Sequence, residues 1–290
     1  MQKIVPFLWF DNQAEEAARF YVSAFEGSKT GAIRRYGDAG PGPKGTVMTV
    51  SFELQGCSFM ALNGGPLFSM TPSVSFFVSC RTEKDIDTLW GRLSEGGKIY
   101  MELGKYPFSP KFGWVGDRYG VTWQLSLDGK SGIAPYFLFV GKQCGHAEEA
   151  MKRWTALFPH SRIDNVMRCG PGEETPEGAV RVARFTLDGQ SFMAADSGFE
   201  HAFTFTPALS MYVNCGTQRE VDALWEGLLD GGRASRCGWL EDRYGVSWQI
   251  VPTVMGELLS DPDPARARRV TEAMLKMVKL DIEGLQRAAG

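Results

Sequence analysis

Metal binding and acid–base or nucleophilic catalysis draw first on histidine and cysteine. This sequence of 290 residues has three of one and six of the other. Their spacing favours neither chemistry. No two cysteines form a Cys-x-x-Cys pair, which argues against a zinc knuckle or a thioredoxin-type couple. Cys80 and Cys215 each close an apolar strand and read as small buried thiols in a reducing compartment. His146 begins a predicted helix, His160 follows it, and His201 lies in a loop ahead of Phe203-Thr204-Phe205-Thr206-Pro207. They are not expected to converge as one ligand set. There is no Gly-x-Ser-x-Gly elbow, no phosphate-binding loop, and no glycine-rich strand-to-helix turn of the kind a methyl donor needs. Asp117-Arg118-Tyr119-Gly120 stands out because it recurs unchanged as Asp242-Arg243-Tyr244-Gly245. Aspartate caps turns and glycine supplies positive φ, so the motif reads as a hairpin turn.

That recurrence is one of several. Pro6-Phe7-Leu8-Trp9-Phe10 is answered by Pro135-Tyr136-Phe137-Leu138-Phe139, and Ala14-Glu15-Glu16-Ala17 by Ala147-Glu148-Glu149-Ala150. Gly56-Cys57-Ser58-Phe59-Met60-Ala61 returns as Gly189-Gln190-Ser191-Phe192-Met193-Ala194, and Asp87-Thr88-Leu89-Trp90 as Asp222-Ala223-Leu224-Trp225. The matches keep their order, which composition bias does not do. The chain is one module written twice. The expected organisation is a first module over 1–129, a second over 130–253 and a helical tail over 254–290. The polar, glycine-containing stretch at 128–132 serves as the boundary.

Within a copy the periodicity gives a strand, a helix, then several strands. Residues 4–10 are short and apolar, a buried strand, and Asp11 or Asn12 is placed to cap the helix that follows. Ala14, Ala17, Ala18, Tyr21 and Phe25 form its apolar face, and Gly27 stops it. Residues 46–54 and 57–62 read as strands joined at Gln55-Gly56, and 74–80 as another. Thr82 caps a second helix with Ile86, Leu89, Trp90 and Leu93 inward, ended by Gly96-Gly97. Residues 112–115 and 121–127 complete the copy as a hairpin. In the tail, Val270, Met274, Met277, Val278, Ile282 and Leu285 make a helical stripe on one helix or two, with Arg268, Glu272, Lys276 and Lys279 toward solvent.

The composition is that of a globular protein, 43% hydrophobic and 22% charged. A formal charge of −3 leaves no electrostatic footprint for nucleic acid or an anionic membrane. No apolar run approaches the ~18 residues that span a bilayer. The first residues run straight into strand-like sequence unlike a signal peptide, so a soluble, cytoplasmic protein is expected.

Taken together, the Pro-Phe-Leu-Trp-Phe-Asp strand ahead of Ala-Glu-Glu-Ala, the repeated Asp-Arg-Tyr-Gly-Val-x-Trp-Gln and the paired strand–helix units resemble a known family. It is the PhnB-like branch of the glyoxalase/bleomycin resistance/dioxygenase (vicinal oxygen chelate) superfamily, which also carries the domain name 3-demethylubiquinone-9 3-methyltransferase. The resemblance covers about 2–127 and 131–252. It implies an α+β fold of tandem glyoxalase-like modules built from paired βαβββ units, each curling a sheet into a cup, with the helical tail appended.

Metal-dependent members of that superfamily place His or Glu at four inward strand positions. Matching strands puts these near Pro6, Ala61, Val74 and Gln124, and near Pro135, Ala194, Leu209 and Gln249. None offers an imidazole or an anionic oxygen, and no His or Glu lies one residue away. No metal and no cofactor is therefore expected. The resemblance also sets the candidate ligand contacts. Gln124 and Gln249 would stand on the cup floors, where an amide orients a polar ligand or is a satisfied buried group. Asn63 and Asp196 match at a strand end, at a cup rim or in a turn. His201 falls near the mouth of the second cavity, as a general base or a solvated loop residue. Tyr106 and Phe108 belong to an insertion around Tyr106-Pro107-Phe108-Ser109-Pro110-Lys111 that the second copy lacks, a lid over one cavity.

Three functions compete. The first is a metal-independent protein that binds a small, largely apolar or aromatic molecule, by sequestration or with an unidentified step, so that catalysis stays open. The second is a metal-dependent lyase, isomerase or dioxygenase. The third is a non-catalytic dimerisation scaffold. The partners expected are a small-molecule ligand and a second copy in a homodimer to which the tail contributes, with no nucleic acid and no membrane.

Overall fold

The alternation of short apolar runs with amphipathic segments resolves, in the computed structural model of residues 2–290, into the same ten elements twice over. The first copy runs β1 (Ile4–Phe10), α1 (Ala14–Ala24), β2 (Lys29–Arg35), β3 (Val47–Leu54), β4 (Cys57–Asn63), β5 (Val74–Cys80), α2 (Glu83–Ser94), β6 (Lys98–Tyr106), β7 (Ser109–Gly116) and β8 (Thr122–Leu127). The second runs β9 (Gly132–Val140), α3 (Ala147–Leu157), β10 (Arg162–Arg168), β11 (Val180–Leu187), β12 (Gln190–Ser197), β13 (Leu209–Cys215), α4 (Gln218–Leu229), β14 (Arg233–Ala234), β15 (Trp239–Glu241) and β16 (Ser247–Pro252). Each copy is thus two βαβββ units. The tail adds α5 (Val254–Leu258), α6 (Pro264–Lys276) and α7 (Ile282–Ala289).

Two strands per copy lie outside the sequence expectations. β2 and β6 are edge strands with mostly exposed or half-exposed side chains, so no buried face marks them in the sequence. The Gln55-Gly56 turn is as expected, with both residues at positive φ (49° and 83°).

The strands do not sort by copy. One eight-stranded sheet has the order β14-β15-β16-β13-β1-β4-β3-β2 and the other β10-β11-β12-β9-β5-β8-β7-β6. Each joins the first unit of one copy to the second unit of the other. The seams are antiparallel, Ile4↔Val213 to Leu8↔Leu209 in the first sheet and Val74↔Phe137 to Ser79↔Gly132 in the second. The helix-side core follows the copies instead. Tyr21 of α1 lies 6.0 Å from Phe52 in the first sheet and 5.3 Å from Trp123 in the second. Trp154 of α3 likewise lies 6.0 Å from Phe185 and 5.6 Å from Trp248. Large, fully buried rings of this kind supply roughly 2 kcal/mol each in area terms, and here they tie both sheets to the same helix.

Thr82 caps α2 in a full capping box with Asp85. α1 is a correction, because neither Asp11 nor Asn12 caps it. Gln13 is the N-cap residue without a side-chain bond, and Asn63 Oδ1, from β4, accepts from the Ala14 N–H at 2.8 Å. The tail is three short helices. Val270, Leu280 and Leu285 are buried within the chain, while Val278 turns out to solvent. Arg268, Glu272 and Lys276 are exposed as expected, and Lys279 pairs with Asp222 at 2.6 Å. The tail is anchored by backbone bonds from Cys237 and Gly238 to the Met277 and Val278 carbonyls, both 2.8 Å.

Candidate functional site

Alternation assigns two faces to each sheet. In β1, Ile4, Leu8 and Phe10 point to the helices, leaving Val5, Phe7 and Trp9 on the other, inner face. In β13, Leu209, Met211 and Val213 face the helices, so Ser210, Tyr212 and Asn214 face inward. This corrects most of the ligand positions matched from sequence. Ala61, Val74, Ala194 and Leu209 belong to the helix-side core, and Pro6 and Pro135 share the parity of their core neighbours. Only Gln124 and Gln249 face inward, with Trp123 and Trp248 packed behind them. The true inner positions one residue away carry Val, Phe, Tyr, Met, Leu, Ala and Ser, which offer a divalent cation no imidazole or carboxylate. That donor set does not fit the metal of metal-dependent glyoxalase-like proteins. Among the described residues, no three His, Cys, Asp or Glu side chains group closely enough to hold an ion.

The inner face of the first sheet is aromatic. Phe7 and Tyr212 stack at 6.0 Å, Trp239 meets Phe7 edge-on at 5.8 Å and Trp9 at 6.0 Å, and Phe68 meets Trp9 at 5.0 Å. Trp9, Phe68, Tyr212 and Trp239 remain half-exposed. Trp9 Nε1 donates to the Gly65 carbonyl at 2.8 Å, and a Cβ on Gly64 would sit 2.3 Å from the indole, so glycine there lets the ring lie flat against the loop. Gln249 donates to Ser210 Oγ at 2.9 Å, beside Tyr212 and opposite Trp239. Burial pushes the Tyr212 hydroxyl up to about 12, with the Arg34 charge opposing, so it stays a neutral donor. A hollow of about 570 Å³ lies outside this cup, at the start of α1, lined by Asp11, Asn12, Glu15, Tyr36 and Asn63.

The inner face of the second sheet is filled. Ala134, Tyr136, Leu138, Val140, Met193 and Ala195 are all buried there, and Phe77, Trp114 and Phe203, half-exposed like the rings of the first cup, pack against them. Gln124 donates to Ser75 Oγ at 2.9 Å, the counterpart of the Gln249 bond. His201 stands at this mouth, its Nε2 2.7 Å from Ser197 Oγ and its ring 4.8 Å from Phe203. Partial burial lowers its pKa. The Tyr106–Phe108 insertion is the closed end of the β6–β7 hairpin rather than a separate lid. Its rings stack at 5.6 Å, Phe112 meets Phe108 at 5.1 Å, and Phe108 borders a hollow of about 610 Å³ beside Ser109 and Ser126.

Asn63 and Asp196 spend their polar atoms on the backbone. Besides capping Ala14, Asn63 donates to the Val47 carbonyl at 3.1 Å. Asp196 accepts from Gly145 (2.7 Å), Ala147 (3.2 Å) and Val180 (2.9 Å), fixing the start of α3 to β11. Both are placed by strand-to-helix geometry and not aimed into a cup. The repeated Asp-Arg-Tyr-Gly is a turn, as read from sequence, with a further role. Asp117 accepts from the Tyr119 and Val121 N–H groups at 2.8 and 3.1 Å and from Trp123 Nε1 at 2.8 Å. Asp242 repeats this with Tyr244, Val246 and Trp248, each at 3.0 Å, and adds Trp154 Nε1 at 2.9 Å. Burial outweighs these donors and pushes both carboxyls up to about 6.

Sequence reasoning missed Trp9, Tyr212 and Trp239. Counting alternation outward from Gln249 through the β13 and β1 pairings finds them, but those pairings join the two copies.

The family model described as 3-demethylubiquinone-9 3-methyltransferase matches residues 2–126 and again 131–251. A solved putative 3-demethylubiquinone-9 3-methyltransferase, PhnB protein, from Bacillus cereus is 48% identical over 44% of this chain and 100% of its own, with a TM-score of 0.42. A protein from Pseudomonas aeruginosa is 26% identical over 44% of this chain and 98% of its own, at a TM-score of 0.39. Glyoxalase I from Zea mays covers 90% of this chain and 96% of its own at a TM-score of 0.59 and 11% identity, a likeness of fold. No protein of curated function matches the chain.

Proposed function

The chain belongs to the 3-demethylubiquinone-9 3-methyltransferase domain family, carried twice, and on that premise we propose that it binds a small, largely apolar or aromatic molecule in its first cup without a metal ion. The carrying observation is the half-exposed aromatic floor of Trp9, Phe68, Tyr212 and Trp239. Planar ligands stack on such rings at little entropic cost, and the adjacent Gln249 amide and Tyr212 hydroxyl orient a polar substituent. Methyl transfer is not part of this reading. The turn between β1 and α1 reads Asp11-Asn12-Gln13, without the glycines that admit a nucleotide-like methyl donor. Nor is a metal-assisted step, since the inner positions lack ligating side chains.

Elemental analysis of protein purified without added metal tests this reading. The expected result is no stoichiometric zinc, nickel, iron or manganese. About one transition metal per chain would overturn it in favour of a metal-dependent lyase, isomerase or dioxygenase.

A further inference from the structure

Four outer strands, β2 and β3 of the first sheet and β10 and β11 of the second, carry most of the charge near the cups. Nearly all of it is spoken for. Lys29 pairs with Glu53 at 3.2 Å, Arg162 with Asp164 at 2.6 Å, Arg168 with Glu148 at 2.7 Å and Arg181 with Glu173, while Arg35 donates to the Gly45 carbonyl at 3.0 Å. Among the described residues, three guanidiniums on these strands are left without a carboxylate, Arg34, Arg35 and Arg184, and of these Arg35 is bonded to a backbone carbonyl. The other two face inward, Arg34 in register with Thr49 and Arg184 with Met193.

They also converge on one place. Tyr212 in the first cup and Phe77 in the second are matched residues, each the neighbour of its cup's glutamine. Arg184 lies over the Phe77 ring at 5.2 Å. Arg34 heads an inward row across the first sheet, Arg34–Thr49–Leu62–Trp9, that leads to the floor, and its charge acts on the Tyr212 hydroxyl. The two arginines are not matched to each other. Met167 stands where the second copy would have Arg34, and Ser51 where the first would have Arg184. One inward guanidinium without a carboxylate is kept in each cup although the strand that carries it differs. In the second cup the guanidinium rests on an aromatic face above a filled floor. In the first, one residue of the tail approaches it. A Cβ on Gly256 of α5 would sit 3.3 Å from Arg34 Nη2, so a helix that follows β16 meets the far edge strand across the mouth.

We propose that the ligand of the first cup is an anionic aromatic molecule, a planar ring bearing a carboxylate, with Arg34 as its charge anchor and the Trp9–Trp239–Tyr212 floor holding the ring. This rests on the cup-binding reading and adds the chemical class. A guanidinium takes a carboxylate through two parallel N–H bonds, which a neutral amide cannot reproduce.

Two probes differing in little but charge, 2-naphthoate and 2-naphthamide, test it in calorimetric titrations of the full chain at low salt. Wild type is expected to bind the naphthoate about tenfold tighter than the amide. Arg34→Met, the residue the second copy carries there, should abolish that preference, so that the naphthoate binds no tighter than the amide. Arg184→Ser should change neither beyond about twofold. Equal affinity for the two probes in wild type, or a naphthoate preference that survives Arg34→Met, would overturn the charge anchor while leaving the cup as a binding site. If neither probe binds, the cup reading itself fails and this one with it.

Discussion

The two cups share their frame and differ in their contents. The same devices recur in each: behind the sheet a buried aspartate at the last hairpin with an indole donating to it, and on the inner face a glutamine bonded to a serine across the next strand. On the inner faces the matched positions have parted. Trp9 answers to Leu138 and Tyr212 to Phe77; Trp9 and Met60 are half-exposed where Leu138 and Met193 are buried, while Tyr212 and Phe77 are half-exposed alike. Helix-side residues each touch several elements, so a change there disturbs the whole copy. Inner-face residues touch mainly one another and whatever enters the cup. Duplication therefore left one surface free to close and the other free to stay open.

The shared frame should fail hardest when broken. Asp242→Ala strands four N–H donors in a dry site and is expected to cost roughly 4 kcal/mol, with Asp117→Ala slightly less, read from urea unfolding midpoints. A cost below ~1 kcal/mol for both would show that the repeated turn is ornamental. Removing the tail after Pro252 strips the cover from Gly238 and takes Gly256 away from Arg34. About 2 to 3 kcal/mol should be lost, chiefly through the burial of Leu280, and an unchanged melting temperature would show that the tail supports nothing.

Exchanging the two inner faces sharpens the comparison. Leu138→Trp overpacks the second cup and should destabilise by about 2 kcal/mol, whereas Trp9→Leu should cost under about 1 kcal/mol, because the indole is already half-exposed. Equal costs would mean that the cups are filled alike.

The smallest effect is in pH. Both buried aspartates titrate at about 6, above their ordinary value near 3.8. A carboxyl raised by folding contributes stability below its unfolded pKa and loses it as pH rises through the folded one. The gap in melting temperature between wild type and Asp242→Asn should therefore be wider at about pH 4.5 than at about pH 7.5. A gap independent of pH would place the carboxyl at its ordinary value.

Much of the frame was legible in the sequence, because duplication wrote each device twice and the helices bury single clean stripes. The faces of the strands were not. In β5, β9 and β13 both sides are covered, so polar residues do not mark which side is which, and Val74 and Ser75 read alike. β2 escaped notice because an edge strand of Lys, Thr, Gly and Arg has no buried face to betray it. The cap on α1 comes from Asn63, forty-nine residues away, and local sequence points to Asp11 and Asn12 instead. The cup floors were hidden for the same reason, since each is assembled from both copies.

The central claim, an open aromatic cup that works without a metal, is tested most directly by titrating EDTA-treated protein with 2-naphthoate beside its Trp9→Leu and Leu138→Ala variants. Saturable binding should persist in the stripped wild type, weaken about tenfold in Trp9→Leu and stay unchanged in Leu138→Ala. Binding that appears only when zinc or manganese is restored, or that is indifferent to Trp9, would contradict it.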